Sequence, residues 1–286
     1  MKASKGLAVQ RMCELAQVSR AGFYRRAEAA PRAGDETELR DAVQRAALEW
    51  PAYGSRRITH ELRRQGWRVN RKPVQRLMRQ DNLLVLRKRK FVVTTDSRHG
   101  LAIYPNLAPT LVLSGTNQLW RADITYLRLA EEFIYLAVIL DAYSRRVIGW
   151  ALDRTLEDSL TITALEMALA ERGAPPGLVH HSDRGVQYAS KDYTDMLHRH
   201  GINISMSRLG NPWDNAAVES FMKTLKHEEV DRSEYRDLAD AADRIGEFLE
   251  QVYNQRRLHS ALDYCSPAEF ERARLRAAPA VQEVRA

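Results

Sequence analysis

The sequence predicts an α/β protein built on a mixed sheet and preceded by small all-α modules. Three observations carry that prediction. Apolar runs of strand length follow one another from Trp120 to Leu152 with only turn-sized interruptions, which reads as a three-stranded meander. From Leu156 onward, helical and strand patterns alternate. Before the Pro- and Gly-bearing stretch from Arg98 to Gly115, amphipathic helices with clear start signals recur without a strand pattern.

The helical part holds an internal echo. Val18-Ser19-Arg20-Ala21-Gly22-Phe23 and Val69-Asn70-Arg71-Lys72-Pro73-Val74 share one plan at an offset of 51 residues. Each has an apolar residue, an N-cap candidate (Ser19, Asn70) and an apolar partner one turn on, the arrangement of a hydrophobic staple. Each follows another amphipathic stretch, the first with Val9, Met12 and Ala16, the second with Ile58 and Leu62. A helix, a short turn and a capped basic helix is the plan of a helix-turn-helix DNA reader, and equally of paired helices in a small all-α domain. In the second copy Arg71, Gln75 and Arg79 recur at i, i+4 and i+8, away from Val74, Leu77 and Met78, so donors for phosphate and base edges form one row. Arg87, Lys88, Arg89 and Lys90 follow, either a solvated linker or a track for the DNA backbone.

After the 98–115 linker, a strand around Trp120 to Leu127 alternates Trp120, Ala122, Ile124 and Tyr126 with Arg121, Asp123, Thr125 and Leu127. Asp123 therefore leaves the strand opposite Trp120. Phe133 to Leu140 and Val147 to Leu152 supply the next two strands. A helix is expected from Leu156 to Arg172, opened by Thr155 and Asp158 in capping-box-like spacing and closed at Gly173. There follow a strand from Leu178 to Ser182, a helix near Ser190 to His200, a strand around Ile202 to Met206 and a helix carrying Glu219.

Three acids fall where a shared site needs them. Asp123 is strand-borne, Asp183 follows a strand end and precedes the turn Arg184-Gly185, and Glu219 lies in the first turns of a helix, with Asp214 or Asn215 as its cap. Val218, Phe221, Met222 and Leu225 form that helix's apolar stripe, and Glu219, Lys223 and Lys226 share a polar face beside it. Carboxylate oxygens suit Mg²⁺ or Mn²⁺, and two such ions serve phosphoryl transfer, which points to a nuclease or a strand transferase. Spacing alone proves little in a chain with 37 carboxylates. Asp141 reads better as a turn acid bonding backbone N–H groups, and Asp214 as a helix cap. His180 and His181 diverge to opposite faces of a strand, so at most one can reach the site, and packing or a phosphate contact is the simpler role.

These features meet in a resemblance. The Asp123, Asp183, Glu219 triad with its 36-residue Asp-to-Glu step, Lys226 seven residues after the Glu, and the strings His-Ser-Asp-Arg-Gly (181 to 185), Asn-Pro-Trp-Asp-Asn-Ala (211 to 216) and Tyr-Asn-Gln-Arg-Arg-Leu-His-Ser-Ala-Leu (253 to 262) resemble the DDE transposases of the bacterial insertion-sequence-three family, specifically the product of their second reading frame. The match is dense from 110 to 271, and Tyr53 to Leu83 also resembles the helix-turn-helix region of that family. The resemblance implies an RNase H-like core, a mixed five-stranded sheet with helices on both faces, in which the first strand lies beside the fourth and brings Asp123 to Asp183. It implies a metal-dependent polynucleotidyl transferase with Asp123, Asp183 and Glu219 as catalytic metal ligands for two Mg²⁺ or Mn²⁺ ions, and Lys223 and Lys226 on DNA. Tyr253, Asn254, Arg257 and His259 match a family motif; read from the residues alone they belong to a helix packed on the core, with the basic groups available to DNA.

The implied layout is a helix-turn-helix-like segment at 1–30, a basic helix-turn-helix region at 31–97, a linker at 98–115, the catalytic core at 116–272 and a tail at 273–286. Composition agrees with a polyanionic partner: the net charge is +7, and residues 54–90 hold thirteen Lys and Arg against Glu61 and Asp81. Two isolated cysteines, Cys13 and Cys265, make neither a disulfide framework nor a zinc-ligand pair. With no membrane-length apolar run and no signal-peptide pattern, a cytoplasmic, nucleoid-associated protein is expected. Expected partners are double-stranded DNA, as terminal inverted repeats and target, further copies of the chain in a synaptic assembly, and a first-frame protein supplying the leucine zipper absent here. Two rival readings remain at this level: a structure-specific nuclease that cuts without joining, and a DNA-binding regulator without catalysis.

Overall fold

The computed structural model describes residues 9–15, 17, 19, 20, 33–83, 85, 101–129, 132–208 and 212–277. The chain divides into two units, residues 1–86 and 87–286.

In the first unit, α1 spans Val9–Leu15. The rest of the first echo from Ala21, including the Phe23 turn, lies outside the described residues. Helices α2 (Ala33–Glu49), α3 (Ser55–Arg64) and α4 (Arg71–Gln80) pack together. Their core is apolar: Val43, Ile58, Leu62, Val74, Leu77 and Met78 are fully buried. The expected stripe of α4 is therefore correct. Its cap is not: Asn70 stands at the N-cap but makes no side-chain capping bond, and its Oδ1 instead accepts from Arg63 Nη2 at 3.5 Å. Helix α2, unforeseen in the sequence, is tied to the end of α4 by Arg40 Nη1 and Gln44 Nε2 donating to Asp81 at 2.7 and 2.9 Å.

The second unit holds a five-stranded sheet in the order β3-β2-β1-β4-β5. Strands β1 (Leu119–Arg128), β2 (Phe133–Asp141) and β3 (Val147–Asp153) form the antiparallel meander, and β4 (Val179–Ser182) and β5 (Asn203–Met206) add in parallel. Helices α5 (Asp158–Arg172), α6 (Val186–Ala189), α7 (Lys191–Arg199), α8 (Ala216–Glu228), α9 (Leu238–Glu247) and α10 (Pro267–Ala277) complete it.

Strand alternation sorts the core into two layers. On one face Trp120, Ala122, Ala137 and Ile139 meet Leu160, Ala164 and Leu165 of α5 and Leu197 of α7. On the other, Leu127, Leu136, Val138 and Leu140 meet Val218, Phe221 and Leu225 of α8 and Ile245 of α9. Helix α5 lies so close to β3 that a Cβ at Gly149 would collide with the Ala164 carbonyl oxygen.

Several local expectations change. Thr155 does not cap α5; its N–H and hydroxyl both donate to Asp153 Oδ1, and Glu157 stands at the N-cap without a capping bond. Gly173 does close α5, with φ 65°. Ser190 caps α7, accepting from Tyr193 N–H at 3.3 Å, and the short helix α6 before it was unforeseen. The stretch after Leu101 is docked on the core: Leu107 N–H donates to Ser205 Oγ at 2.9 Å, and Leu111 and Leu113 pack against Leu119 and Val179. Helix α9 passes into a π-helical turn, Phe248–Tyr253, before the chain turns toward α10.

Candidate active site

The parallel register pairs Trp120 with His180 and Arg121 with His181. Continued two residues, it sets Asp123 level with Asp183, which begins just where β4 ends. A strand that stops there leaves the β1 edge open beside both acids. Asp183 is held by a local turn in which its Oδ1 accepts the Gly185 N–H at 2.9 Å; a Cβ on Gly185 would come to 3.0 Å from the same oxygen. Asp123 Oδ1 accepts the Ile124 N–H at 2.9 Å. Burial, then the charge of Asp183 and more weakly that of Glu219, pushes the Asp123 carboxyl up to about 8, against the opposing pull of the Ile124 N–H and Lys226. Both other acids thus act on Asp123, although the three come from a strand, the turn after a strand and a helix.

Glu219 sits in the first turn of α8, and Lys223 Nζ is 3.8 Å from its Oε2. Lys226 Nζ lies 4.7 Å from the centre of the Tyr126 ring, a cation–π contact on the strand that carries Asp123. Burial lowers the Lys226 pKa, while the nearby charge of Asp123 raises it. The expected apolar stripe of α8 is buried throughout, at Val218, Phe221, Met222 and Leu225.

The start of α8 is anchored differently from expectation. Asn215 stands at the N-cap, as one of the two expected candidates, but its side chain makes no capping bond. Asn215 Nδ2 donates to the Ala122 carbonyl at 3.0 Å, tying the helix start to the residue before Asp123. Asp214 accepts from Arg208 N–H, Nε and Nη2 at 2.9, 3.0 and 2.9 Å, and Arg121 Nη1 donates to the Asp214 carbonyl. These clasps cross up to 93 positions of sequence, so no local pattern announces them.

The neighbouring histidines are structural. His180 Nε2 is 2.9 Å from the Tyr193 hydroxyl, and burial lowers its pKa to about 3. His181 bridges Ser205 and Ser207 at 2.8 and 3.0 Å, with its pKa lowered to about 4, chiefly by burial. Asp141 is the turn acid expected, accepting N–H groups of Asn117, Tyr143 and Ser144 at 2.6, 2.9 and 3.0 Å.

The carboxyl-terminal motif also turns inward. Asn254 accepts the Val147 N–H at 3.0 Å and returns a bond to the Val147 carbonyl at 2.9 Å, completing the edge of β3. Arg257, set down above as available to DNA, is 3% exposed and grips Glu228 of α8 through Nε and Nη2, both at 2.7 Å. Tyr253 packs edge-on against Phe221 and His259, each at 4.9 Å. Arg257 holds the Glu219 helix rather than facing solvent.

Carboxylate oxygens match the preference of Mg²⁺ or Mn²⁺, and their mutual repulsion is what a cation would relieve. Among the described residues, no three His, Cys, Asp or Glu are already arranged to close on one ion. The fit therefore lies in the donor chemistry and its charge. Arg71, Gln75 and Arg79 belong to the other unit, where Arg71 and Arg79 are exposed and Gln75 half-buried along α4. Residues 87 to 90 lie outside the described residues. Among the described residues, no helix is long and apolar enough to cross a membrane.

Comparison with known proteins gives the same partition. The family described as integrase core domain matches residues 114–212, a second integrase core domain family matches 200–267, and an HTH-like domain matches 34–91. Among solved structures, a chain of the simian T-cell lymphotropic virus intasome bound to a PP2A regulatory subunit is similar over 86% of this chain and 77% of that one, at 14% identity and TM-score 0.47, too slight a likeness to carry an argument. Sequence likeness is much stronger. The insertion element IS600 uncharacterized 31 kDa protein of Shigella sonnei is 39% identical over 91% of this chain and 97% of that one. Transposase InsF for insertion sequence IS3A of Escherichia coli (strain K12) is 37% identical over 93% of this chain and 95% of that one. With such identity running nearly end to end through both the helical unit and the sheet unit, the chain belongs to the IS3 family of insertion-sequence transposases.

Proposed function

We propose that the chain cuts and joins DNA strands at the ends of its insertion element, with Asp123, Asp183 and Glu219 as the carboxylate triad of the reaction. The observation that supports this most is the convergence of three acids from separate elements around a buried carboxylate: burial first, then the charge of Asp183 and more weakly that of Glu219, raise Asp123 to about 8. A structural acid is normally met by donors, as Asp141 is; here acid faces acid.

In this reading Asp123 and Asp183, side by side on the β1 and β4 edges, and Glu219 on α8 hold the ions. Two Mg²⁺ or Mn²⁺ ions bound there would activate first a water and then a DNA 3′-hydroxyl, and stabilise the departing 3′ oxygen. The protein's own contribution is position and charge. Gly185 N–H holds the Asp183 carboxylate in place, and Asn215 holds the Glu219 helix against β1. Lys223 and Lys226, on the same side of α8 as Glu219, would meet the phosphates flanking the scissile bond. Because water and the 3′-hydroxyl are the attacking groups, no covalent protein–DNA intermediate is required.

The domain limits given above enter the same reading, with α3 and α4 as the recognition module and Arg71, Gln75 and Arg79 in a major groove. Arg87, Lys88, Arg89 and Lys90 would follow the phosphate backbone. Two element ends held for joining imply a dimer or larger assembly, with a first-frame protein as a further partner, in the cytoplasm on the nucleoid.

The deciding experiment is incubation of the full chain with labelled terminal-repeat DNA and Mg²⁺. Joined as well as cleaved products are expected. Cleaved strands without joined ones would favour the nuclease, and DNA binding without either would favour the regulator.

A further inference from the structure

Tyr188 poses a question that the carboxylates alone do not answer. It is 2% exposed, and its hydroxyl has no hydrogen-bond partner. Buried hydroxyls nearly always find a partner, because leaving one unmet forfeits the water it gave up. Its neighbour shows the ordinary outcome: Tyr193, equally buried, bonds His180 Nε2 at 2.9 Å.

Position explains why the two differ. Tyr188 lies on α6, directly after the Asp183 turn, and its N–H donates to the Gly185 carbonyl at 3.1 Å while the Gly185 N–H donates to Asp183. The backbone that fixes Asp183 therefore also fixes Tyr188. The ring is clamped by Tyr193, edge-on at 5.5 Å, and by His180 at 6.3 Å, so the hydroxyl has little room to swing elsewhere. Burial, then Tyr193 and the charges of Asp123 and Asp183, hold the phenol well above its ordinary pKa. A phenol buried on the helix that follows the Asp183 turn stays a donor, and it is one with no partner of its own.

We infer that Tyr188 is a positioning residue of the carboxylate centre, its hydroxyl donating to the Asp123 carboxylate when a divalent cation is bound there. This rests on the reading of Asp123 and Asp183 as metal holders. Asp123 already accepts the Ile124 N–H on Oδ1, and a second donor would fix its plane. Partners that orient a ligating carboxylate commonly change metal affinity by about tenfold or more when removed.

The test uses the full chain without DNA, titrated with Mn²⁺ and followed by calorimetry, together with thermal melts of the metal-free protein. Tyr188→Phe removes only the oxygen. It is expected to weaken Mn²⁺ binding roughly tenfold, while the metal-free melt stays level or rises, since a donor without a partner is lost. Installing 3-fluorotyrosine at position 188, a better donor of nearly the same shape, is expected to restore the affinity. Unchanged Mn²⁺ affinity in Tyr188→Phe would overturn the inference, whatever the melt does. Asp123→Asn separates this failure from a deeper one. If it loses Mn²⁺ while Tyr188→Phe does not, only the role of Tyr188 falls; if neither loses Mn²⁺, the metal-holding reading falls with it.

Discussion

The two units handle charge in opposite ways. Around α2, α3 and α4 the interior is apolar, and the ion pairs stay near the surface, as with Arg40 and Asp81 at 38% and 11% side-chain exposure. In the sheet unit Asp141, His180, His181, Asn254, Arg257 and Glu271 are all buried. A helical module can be specified by the period of its apolar residues, because each helix satisfies its own backbone. A sheet whose edge stops to open a site must close with polar clasps drawn from far along the chain. The first arrangement tolerates change at its surface; the second concentrates the consequences of a single substitution.

The largest effects should come from the carboxylate centre. Asp123→Asn, Asp183→Asn and Glu219→Gln keep shape but remove charge, and each should abolish cleavage and joining while binding of terminal-repeat DNA survives. A gel assay resolving cleaved and joined strands checks this, and near-normal joining in any one variant would remove that residue from the triad. Lys226→Glu places a like charge beside a phosphate at a cost on the order of several kcal/mol. Joining should fall by about a hundredfold or more on that scale, with helical circular dichroism unchanged; undiminished joining would leave Lys226 only its packing on Tyr126.

The clearest test of the contrast in charge handling compares two arginines. Arg257→Ala leaves Glu228, its side chain only 9% exposed, without its cation, and breaking a buried pair costs about 3–5 kcal/mol. Arg40→Ala breaks a bridge that solvent already reaches, worth about 1 kcal/mol or less. Urea unfolding of the full chain should show a large loss for the first and a small one for the second. Equal losses would mean that the helical unit depends on buried charge as much as the core does.

The pH dependence separates the core's own groups. Asp123 binds its proton more tightly folded, up to about 8 against 3.8, so its contribution is complete in acid and is lost as pH rises toward 8. His180 and His181 run the other way: lowered to about 3 and 4 from 6.5, they favour the fold above 6.5 and cost stability as pH falls. Below 6.5 these trends oppose each other; between 6.5 and 8 that of Asp123 remains. The Tm of the metal-free protein should therefore fall from pH 6.5 to 8, and Asp123→Asn should flatten that fall. A decline of unchanged slope in the variant would place its source outside the carboxylate centre.

How much of this was legible follows from the range of each interaction. Alternation placed Asp123 opposite Trp120, a strand end placed Asp183, and an apolar stripe placed Glu219 beside Lys223 and Lys226; all are short-range patterns. The adjacency of β1 and β4 was not readable from the residues and entered through the family resemblance. Polar side chains were misassigned wherever another partner outbid the expected one: Asn215 stands at the N-cap but its amide went to Ala122, Asp214 went to Arg208, and Arg257 to Glu228 instead of to DNA. Helix α2 was missed because its buried side is largely alanine, Ala42, Ala46 and Ala47 around Val43, which gives little apolar contrast. Tyr188 gave no signal in the sequence, since an unmet hydroxyl is visible only once its surroundings are known.

The smallest effects belong to the exposed helix, where the surface of α4 carries recognition in this reading. Arg71 and Gln75 lie one turn apart, close enough that Arg71 Nη2 reaches Gln75 Oε1 at 3.5 Å, so the two present a single row to a groove. Losing a base-edge contact costs about 1–3 kcal/mol and relaxes preference at that base, whereas losing a phosphate contact weakens all sequences alike and lowers the salt slope by about one per charge. Alanine at Arg71 or Gln75 should accordingly narrow the affinity gap between terminal-repeat and random DNA, with little change in stability. Alanines across Arg87 to Lys90 should reduce both affinities together. Titrations of both DNAs at several salt concentrations distinguish the two behaviours. If the gap survives in Arg71→Ala and Gln75→Ala, specificity resides elsewhere, in the segment after Ser19 or in a first-frame partner, and α4 contributes charge alone.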